Sequence, residues 1–437
     1  MKDPGLTVKY KIYINRILVY DIEIYYYNLT KKTIIIEILY KYMNILMLNT
    51  SDLEGGAARA AYNLHKSLRD ININSNMLVQ LKQSDNLYVT GQKNKIEKTI
   101  NLIRPHIDKL PLLLYPSHSE TWNVSWLPGN VINKIKILKP DIVHIHWICK
   151  GFIPVTSLEH IKTPIVWTLH DSWPFTGGCH ITYNCNKYKH ICNACPELNS
   201  TFYYDLSRWV YNRKAKVYKK LLTKMTVVTP SRWMADCVKE SSLMKDFPVE
   251  IIPSGVDTNI FKPLDKYTAR TILNLDKNKK YLLFGALSAT SDKNKGFHYL
   301  IPALKILSKK LQDIELLVFG ASGTKEPVDY PFPVTYLGRL YDDISVSILY
   351  SASDAVVVPS MSESQSLVTL EALSCGRPVV AFNVGGIPDM VVHMVNGYLA
   401  KPYDINDLAS GMEWILNDET PYTDLLNKAR QKAVEGF

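Results

Sequence analysis

Apolar residues along this chain fall into short runs separated by polar stretches that carry glycine. Residues 355–358 form one such run, ending at Pro359. A polar loop holding Glu363 follows, and residues 366–375 then read as a helix stopped by Gly376. Residues 377–382 are a second apolar run, and Gly385-Gly386 opens a further short helix. The same alternation occurs earlier. Residues 43–49 read as an opening strand, followed by Gly55-Gly56 and an amphipathic helix through Leu68. Residues 139–147 and 164–171 each hold a strand, 226–232 reads as the last strand of a first domain, and 280–286 and 316–320 belong to a second. Strands alternating with helices predict an α/β fold with parallel sheets, whose ligands bind at the carboxyl ends of the strands. Pro253, Gly255 and Pro263 break the periodicity and mark a linker, with the domain boundary near residue 253.

Composition narrows the partners. A chain of 437 residues, 46% apolar and 21% charged, holds two ordinary globular domains, here 43–253 and 254–437. The net charge of +10 favours an acidic partner, whether nucleotide, nucleic acid or anionic membrane. No apolar stretch approaches the roughly 18–20 residues of a spanning helix. Charges interrupt the N-terminal segment too often for a secretory signal. The expectation is a cytoplasmic protein, peripheral at most on the inner face of a membrane. Residues 1–42, rich in Tyr, Ile and Lys, precede a second methionine. Either Met43 is the natural start, or the extension forms a short hairpin or helix.

Candidate chemistry concentrates at strand ends. Glu363 and Glu371 frame the 359–366 loop with seven residues between them. The helix N-terminus around Ser366 and Leu367 suits a phosphate dianion, and a carboxylate beside it suits sugar hydroxyls. Gly55 and Gly56 lie at a strand-to-helix turn, where glycine lets a ligand approach the backbone. This is not the G-x-G-x-x-G dinucleotide fingerprint, so no nicotinamide cofactor is expected. Arg59 reads either as an added phosphate or acceptor contact or as a helix-surface arginine. His170 ends a strand and precedes Asp171, which makes it a better site candidate than His144 or His146.

Two features stand apart. Cys179, Cys185, Cys192 and Cys195 lie within seventeen residues, the last two as a C-x2-C knuckle. They either close a tetrahedral structural zinc site, with His180 and His190 as substitute ligands, or pack a loop as reduced thiols. Residues 208–224 hold seven basic side chains and no acid, interleaved with Trp209, Val217, Tyr218, Leu221 and Leu222. That pattern is either the solvated face of a packed helix or a surface for anionic lipid.

The stretch from Glu363 through EAL-SCG-PVVAF-VGGIPD closely resembles the nucleotide-sugar-binding core of the retaining GT-B glycosyltransferases of family 4. The resemblance extends over most of residues 43–437 and includes the T-x-H-D segment at His170 and the lysine-glycine pair Lys295-Gly296. It implies two Rossmann-like domains facing across a cleft. It also implies sugar transfer from a UDP- or GDP-linked donor to a saccharide hydroxyl, on a lipid carrier in surface-polysaccharide assembly. Glu371 would accept ribose hydroxyls, Glu363 hydroxyls of the transferred sugar, Lys295 would neutralise the diphosphate, and His170 would stand beside the donor sugar. Catalysis would use no cofactor. Ala286 replaces an arginine common in the family, so Lys293 or Arg339 must supply the second positive charge. The family usually ends in a helix that crosses back onto the first domain. Here the helix around 425–435 stops where that crossover would start: either the crossover helix is supplied in some other way, or the chain is truncated, which would loosen interdomain packing and expose apolar surface. A nucleotide-sugar epimerase and a non-catalytic sugar- or lipid-binding homologue remain alternatives. No nucleic-acid-binding module accompanies the charge.

Overall fold

In a computed structural model the chain is described over residues 43–437, apart from 119, 120, 287, 325, 418 and 420. The expectation for residues 1–42 lies outside the described residues. Two units meet between Ile252 and Pro253.

The first unit runs β1 (Asn44–Ser51), α1 (Gly56–Asp70), β2 (Asn74–Leu81), β3 (Val89–Thr90), α2 (Lys95–Asp108), α3 (Val131–Leu138), β4 (Ile142–Ile145), β5 (Ile165–Thr168), α4 (Leu206–Tyr218), β6 (Met225–Thr229), α5 (Arg232–Glu240) and β7 (Val249–Ile251). Its strands lie in the order 3-2-1-4-5-6-7, and every described pairing is parallel. The central strands β4 and β5 are buried at every position, as a sheet covered on both faces requires. One apolar cluster, with Leu46, Val143 and Trp167, fills one face; another, with Met47, Ala61 and Val166, fills the other. Residues 226–232 do not hold the last strand of this unit. Val249–Ile251, expected as linker, pairs with β6 at the sheet edge, where only three residues are needed and no alternation could announce them.

The second unit runs α6 (Lys266–Ile272), β8 (Lys280–Gly285), α7 (Phe297–Leu307), β9 (Ile314–Phe319), β10 (Val334–Tyr336), α8 (Asp343–Ala352), β11 (Ala355–Val358), α9 (Leu367–Ser374), β12 (Val379–Phe382), β13 (Gly397–Ala400), α10 (Ile405–Leu416) and α11 (Tyr422–Gly436). The order β10-β9-β8-β11-β12-β13 repeats the 3-2-1-4-5-6 arrangement of the first unit, again in parallel. After Gly385-Gly386 the chain makes a single 3-10 turn at Ile387–Asp389 in place of the expected helix.

The last helix packs within the second unit. It buries Leu425, Ala429 and Ala433, with Phe437 beyond it, inside its own unit. Arg430 donates to the carbonyls of Phe261 and Ser374 (2.7 Å each) and of Thr258 (3.0 Å). One guanidinium thus ties α11 to the segment that enters the unit and to the end of α9.

Candidate active site

In each sheet the chain direction of the crossovers reverses between the first and fourth strands, which is where open α/β sheets bind ligands. In the second unit that point lies between β8 and β11. The loops leaving their carboxyl ends are stitched together: Met361 N–H donates to the Asn294 carbonyl (2.8 Å), and Asn294 Nδ2 donates to the Ser362 carbonyl (2.9 Å). Gly296 allows this closeness. Its φ is 75°, and an added Cβ would overlap the Pro359 carbonyl.

This stitching sets Lys295 against Glu363, with Nζ 2.8 Å from Oε1. Their side chains are 25% and 13% exposed, so the pair sits at the mouth of the site. Burial pulls the Lys295 pKa down, but the Glu363 carboxylate more than offsets this, and the ammonium titrates above its ordinary value. The Glu363 carbonyl accepts from Gly386 N–H at 2.8 Å. The preceding Gly385, at φ 55°, leaves no room for a Cβ against that same carbonyl. The Gly-Gly pair therefore holds Glu363 in place.

Ser366 caps α9 by accepting from Thr369 N–H (3.2 Å), which leaves the amides of Leu367 and Val368 at the open end of the helix. Glu371 lies on the same helix, 7% exposed, and Oε2 accepts the hydroxyl of fully buried Tyr350 (3.0 Å). Glu363, Ser366, Leu367 and Glu371 are thus set along one loop-helix unit, and Lys295 meets it from the loop after β8. Lys293 is exposed in the 3-10 turn that carries Lys295. Arg339 is exposed beyond the edge strand β10, its guanidinium over the Tyr341 ring. Ala286 packs against the core. Sequence reasoning missed Asn294, Tyr350 and Arg430. Asn294 had a signal, since it immediately precedes Lys295-Gly296; Tyr350 and Arg430 act from helices distant in sequence and had none.

The matching edge of the first unit is different. Gly55, at φ 92°, starts α1 beyond β1, and Gly56 is the first helical residue. The Arg59 amide closes the turn on the Gly55 carbonyl. Buried Asp52 accepts from the amides of Gln83 and Ser84 (2.9 Å each), fixing this loop to the one after β2. At the carboxyl ends of β4 and β5 three imidazoles stack: His144, within β4, on His146 with centroids 4.3 Å apart, and His146 on His170 at 5.3 Å. His146 Nδ1 lies 3.0 Å from His170 Nε2. Burial lowers His144 to about 3 and His170 to about 4, and it holds His146 well below the ordinary value, so the stack is neutral near pH 7. Asp171 anchors the surroundings. It accepts from Trp147 Nε1 (2.6 Å) and the Trp173 amide (2.8 Å), and its Oδ2 lies 2.7 Å from His180 Nδ1. Burial alone would raise its pKa; His180 and these donors hold it below the usual carboxylate range.

The basic stretch is only partly a surface. Its helix ends at Tyr218, and Lys214 is buried, donating to the carbonyls of Trp173 and Thr176, with its ammonium 3.6 Å from the Trp173 ring centroid. Burial lowers its pKa to about 7. Lys220 pairs with Glu159, and Arg213 lies over Trp209. All four clustered cysteines are free thiols and line one small cavity. Among the described residues, no group of three or more His, Cys, Asp or Glu side chains is placed to hold a metal ion.

The family description "Glycosyl transferases group 1" matches residues 265–433, and "Glycosyltransferase Family 4" matches 54–260. The chain is 25% identical over 338 residues to an uncharacterized glycosyltransferase of Methanocaldococcus jannaschii, covering 73% of this chain and 78% of that one. It is 31% identical over 162 residues to an uncharacterized glycosyltransferase of Haemophilus influenzae, covering 35% of this chain and 44% of that one. Such partial matches are typical: the chain spans less than half the length of most curated relatives it matches. Among solved structures, sucrose-phosphate synthase from Thermosynechococcus elongatus superposes with a TM-score of 0.63 at 18% identity, over 90% of this chain and 94% of that one. HepE of Anabaena in complex with UDP-glucose gives 0.57 at 21% identity, over 90% and 94%. WaaG, a glycosyltransferase involved in lipopolysaccharide biosynthesis, gives 0.56 at 15% identity, over 89% and 95%. The chain therefore matches a glycosyltransferase family 4 model and then a glycosyl transferases group 1 model, on two parallel-sheet Rossmann-like units with GT-B structural neighbours.

Proposed function

We propose that the second unit binds a nucleoside-diphosphate sugar at the carboxyl ends of β8 and β11, and that the protein transfers the sugar to a hydroxyl acceptor with retention of configuration. The observation that carries this is the Lys295–Glu363 pair, at 2.8 Å, beside the start of the helix that bears Glu371. A donor diphosphate takes the Lys295 ammonium from Glu363, and the amides of Leu367 and Val368 share its charge. The released Glu363 carboxylate then accepts hydrogen bonds from hydroxyls of the sugar. Glu371, fixed by Tyr350, accepts those of the ribose. Lys293 is the second cation.

Transfer breaks the bond from the anomeric carbon to the diphosphate and forms one to the acceptor oxygen on the same face. The acceptor proton passes to the departing phosphate oxygen, so no side chain serves as nucleophile. Stabilisation of the leaving charge and positioning are the main catalytic contributions. Because Lys295 and the helix terminus neutralise that charge, the mechanism uses no divalent ion. His170, held neutral by burial, suits a hydrogen bond to a sugar hydroxyl.

The UDP-glucose bound by HepE favours a UDP-linked donor, with GDP as the other base to test. The lipopolysaccharide role of WaaG favours surface-polysaccharide assembly on a lipid-linked acceptor at the inner membrane face. No described helix is long and apolar enough to cross a membrane. Association would be peripheral, through exposed Leu113, Leu114, Phe202, Tyr204 and Trp209 with the neighbouring Arg208 and Arg213. The test is release of UDP or GDP from a panel of nucleotide-sugars with and without acceptor. Acceptor-dependent release lost in Glu371→Ala supports transfer; donor conversion without acceptor supports an epimerase. Salt-sensitive co-sedimentation with anionic vesicles tests the membrane assignment, and indifference to anionic lipid refutes it.

A further inference from the structure

The region between β5 and α4 is long and has little regular structure. Its elements are single 3-10 turns at Trp173–Phe175, Lys187–Lys189 and Pro196–Leu198. Such a stretch needs a tie of its own, and the four cysteines lie where one would act. Cys179, Cys185, Cys192 and Cys195 all line one cavity of about 10 Å³. That is about the space of a single water-sized occupant, and a bare metal ion is smaller. Cys179 and Cys195 also pack with Leu112, Trp122, Val124, Leu198 and Val210 in one small core, so a link among the cysteines would join separate parts of the loop to α4.

The surroundings of the cysteines point the same way. Gly177 N–H donates to Cys192 Sγ at 3.2 Å. The Thr176 hydroxyl donates to the Cys179 carbonyl at 2.7 Å. The amides of Leu198 and Ser200 both close on the Cys195 carbonyl, at 3.1 and 3.0 Å, so the chain makes a compact turn directly after the C-x2-C pair. Gly177 belongs to the same packing, since a Cβ there would meet Cys192 Cβ at 2.7 Å.

The histidines offered by the sequence are not available. His180 is committed on both ring nitrogens, Nδ1 to Asp171 (2.7 Å) and Nε2 to Asn123 (2.9 Å). His190 is exposed and does not line the cavity. We propose that Cys179, Cys185, Cys192 and Cys195 bind one zinc ion as a four-thiolate structural site that fixes the loop between β5 and α4. Loading requires the thiol side chains to turn inward within the cavity, with release of their protons as the zinc–sulfur bonds form. Four thiolates complete a tetrahedral zinc shell, so the site has no position open for catalysis.

The test is elemental analysis of untagged full-length protein purified under reducing conditions without chelator. The expected result is stoichiometric zinc, kept in Cys237→Ser and lost in Cys192→Ser and Cys195→Ser. Should those variants fail to fold, wild-type protein exchanged into cobalt(II) gives a second readout. Sulfur-to-cobalt charge transfer with intense tetrahedral d–d bands supports the site. Protein that carries no stoichiometric zinc and gives no such cobalt spectrum overturns it, as does zinc retained by the Cys192→Ser and Cys195→Ser variants. None of these measurements depends on sugar transfer.

Discussion

The two units use the same strand order but arm it differently. At the edge of the first, at the carboxyl ends of β4 and β5, stands a stack of imidazoles kept neutral by burial. At the edge of the second, beyond β8 and β11, stands an ion pair, with a helix N-terminus adjoining. Backbone topology places both edges; the loops decide their charge. A neutral, hydrogen-bonding edge suits an uncharged hydroxylic ligand, whereas a lysine, a glutamate and a helix tip suit a diphosphate joined to a sugar.

The sharpest way to break this contrast is to remove the charge. Lys295→Ala is expected to lower sugar-transfer kcat by roughly a hundredfold to a thousandfold, the range for deleting one group that stabilises a leaving charge. His170→Ala should lower it by a smaller factor under the same steady-state assay, because it removes no charge. Equal losses would erase the distinction between the edges. Gly296→Ala comes next. The new Cβ must push Pro359 away, so nucleotide affinity should fall about tenfold or more, with a destabilisation of about 1–3 kcal/mol by denaturant unfolding. Tyr350→Phe is milder. Losing one hydrogen bond to Glu371 should cost about 1–2 kcal/mol, read mainly as a higher KM for the donor.

Acidification probes the other edge. His144 and His170 have folded pKa values of about 3 and about 4, below the roughly 6.5 of an unfolded histidine. Depressed values mean the unfolded chain takes up protons first as pH falls. The stability these groups contribute is complete above pH ~6.5 and is lost progressively toward pH ~4. Seven of the eight tryptophans precede residue 253, so intrinsic fluorescence reports on the first unit. Its melting temperature should be lower at pH 5 than at pH 7.5. An unchanged value would mean that the imidazole stack is not buried and neutral.

Much of the second edge was legible in the sequence. Glu363, Glu371 and Lys295-Gly296 lie in loops and helix starts whose identity is set by local spacing, and local spacing is what a sequence displays. The Lys295–Glu363 pair itself was not legible. It depends on Gly296 letting two loops close over each other, a contact across 68 positions. Tyr350 and Arg430 were hidden for the same reason. Lys214 was misread because a lysine in a basic run looks solvated; only the fold turns it inward onto Trp173 and two backbone carbonyls. The histidine stack was half visible. His144 in β4 and His146 just past it follow the strand's alternation, but their partner His170 comes from just past the next strand.

The most direct measurement is isothermal titration of UDP and GDP into the wild-type protein, Lys295→Ala and His170→Ala. The account predicts that at least one nucleotide binds, that Lys295→Ala weakens it by roughly tenfold or more, as expected for losing a hydrogen-bonded phosphate contact, and that His170→Ala leaves it nearly unchanged. Equal affinity in the wild type and Lys295→Ala, or a loss confined to His170→Ala, would contradict it.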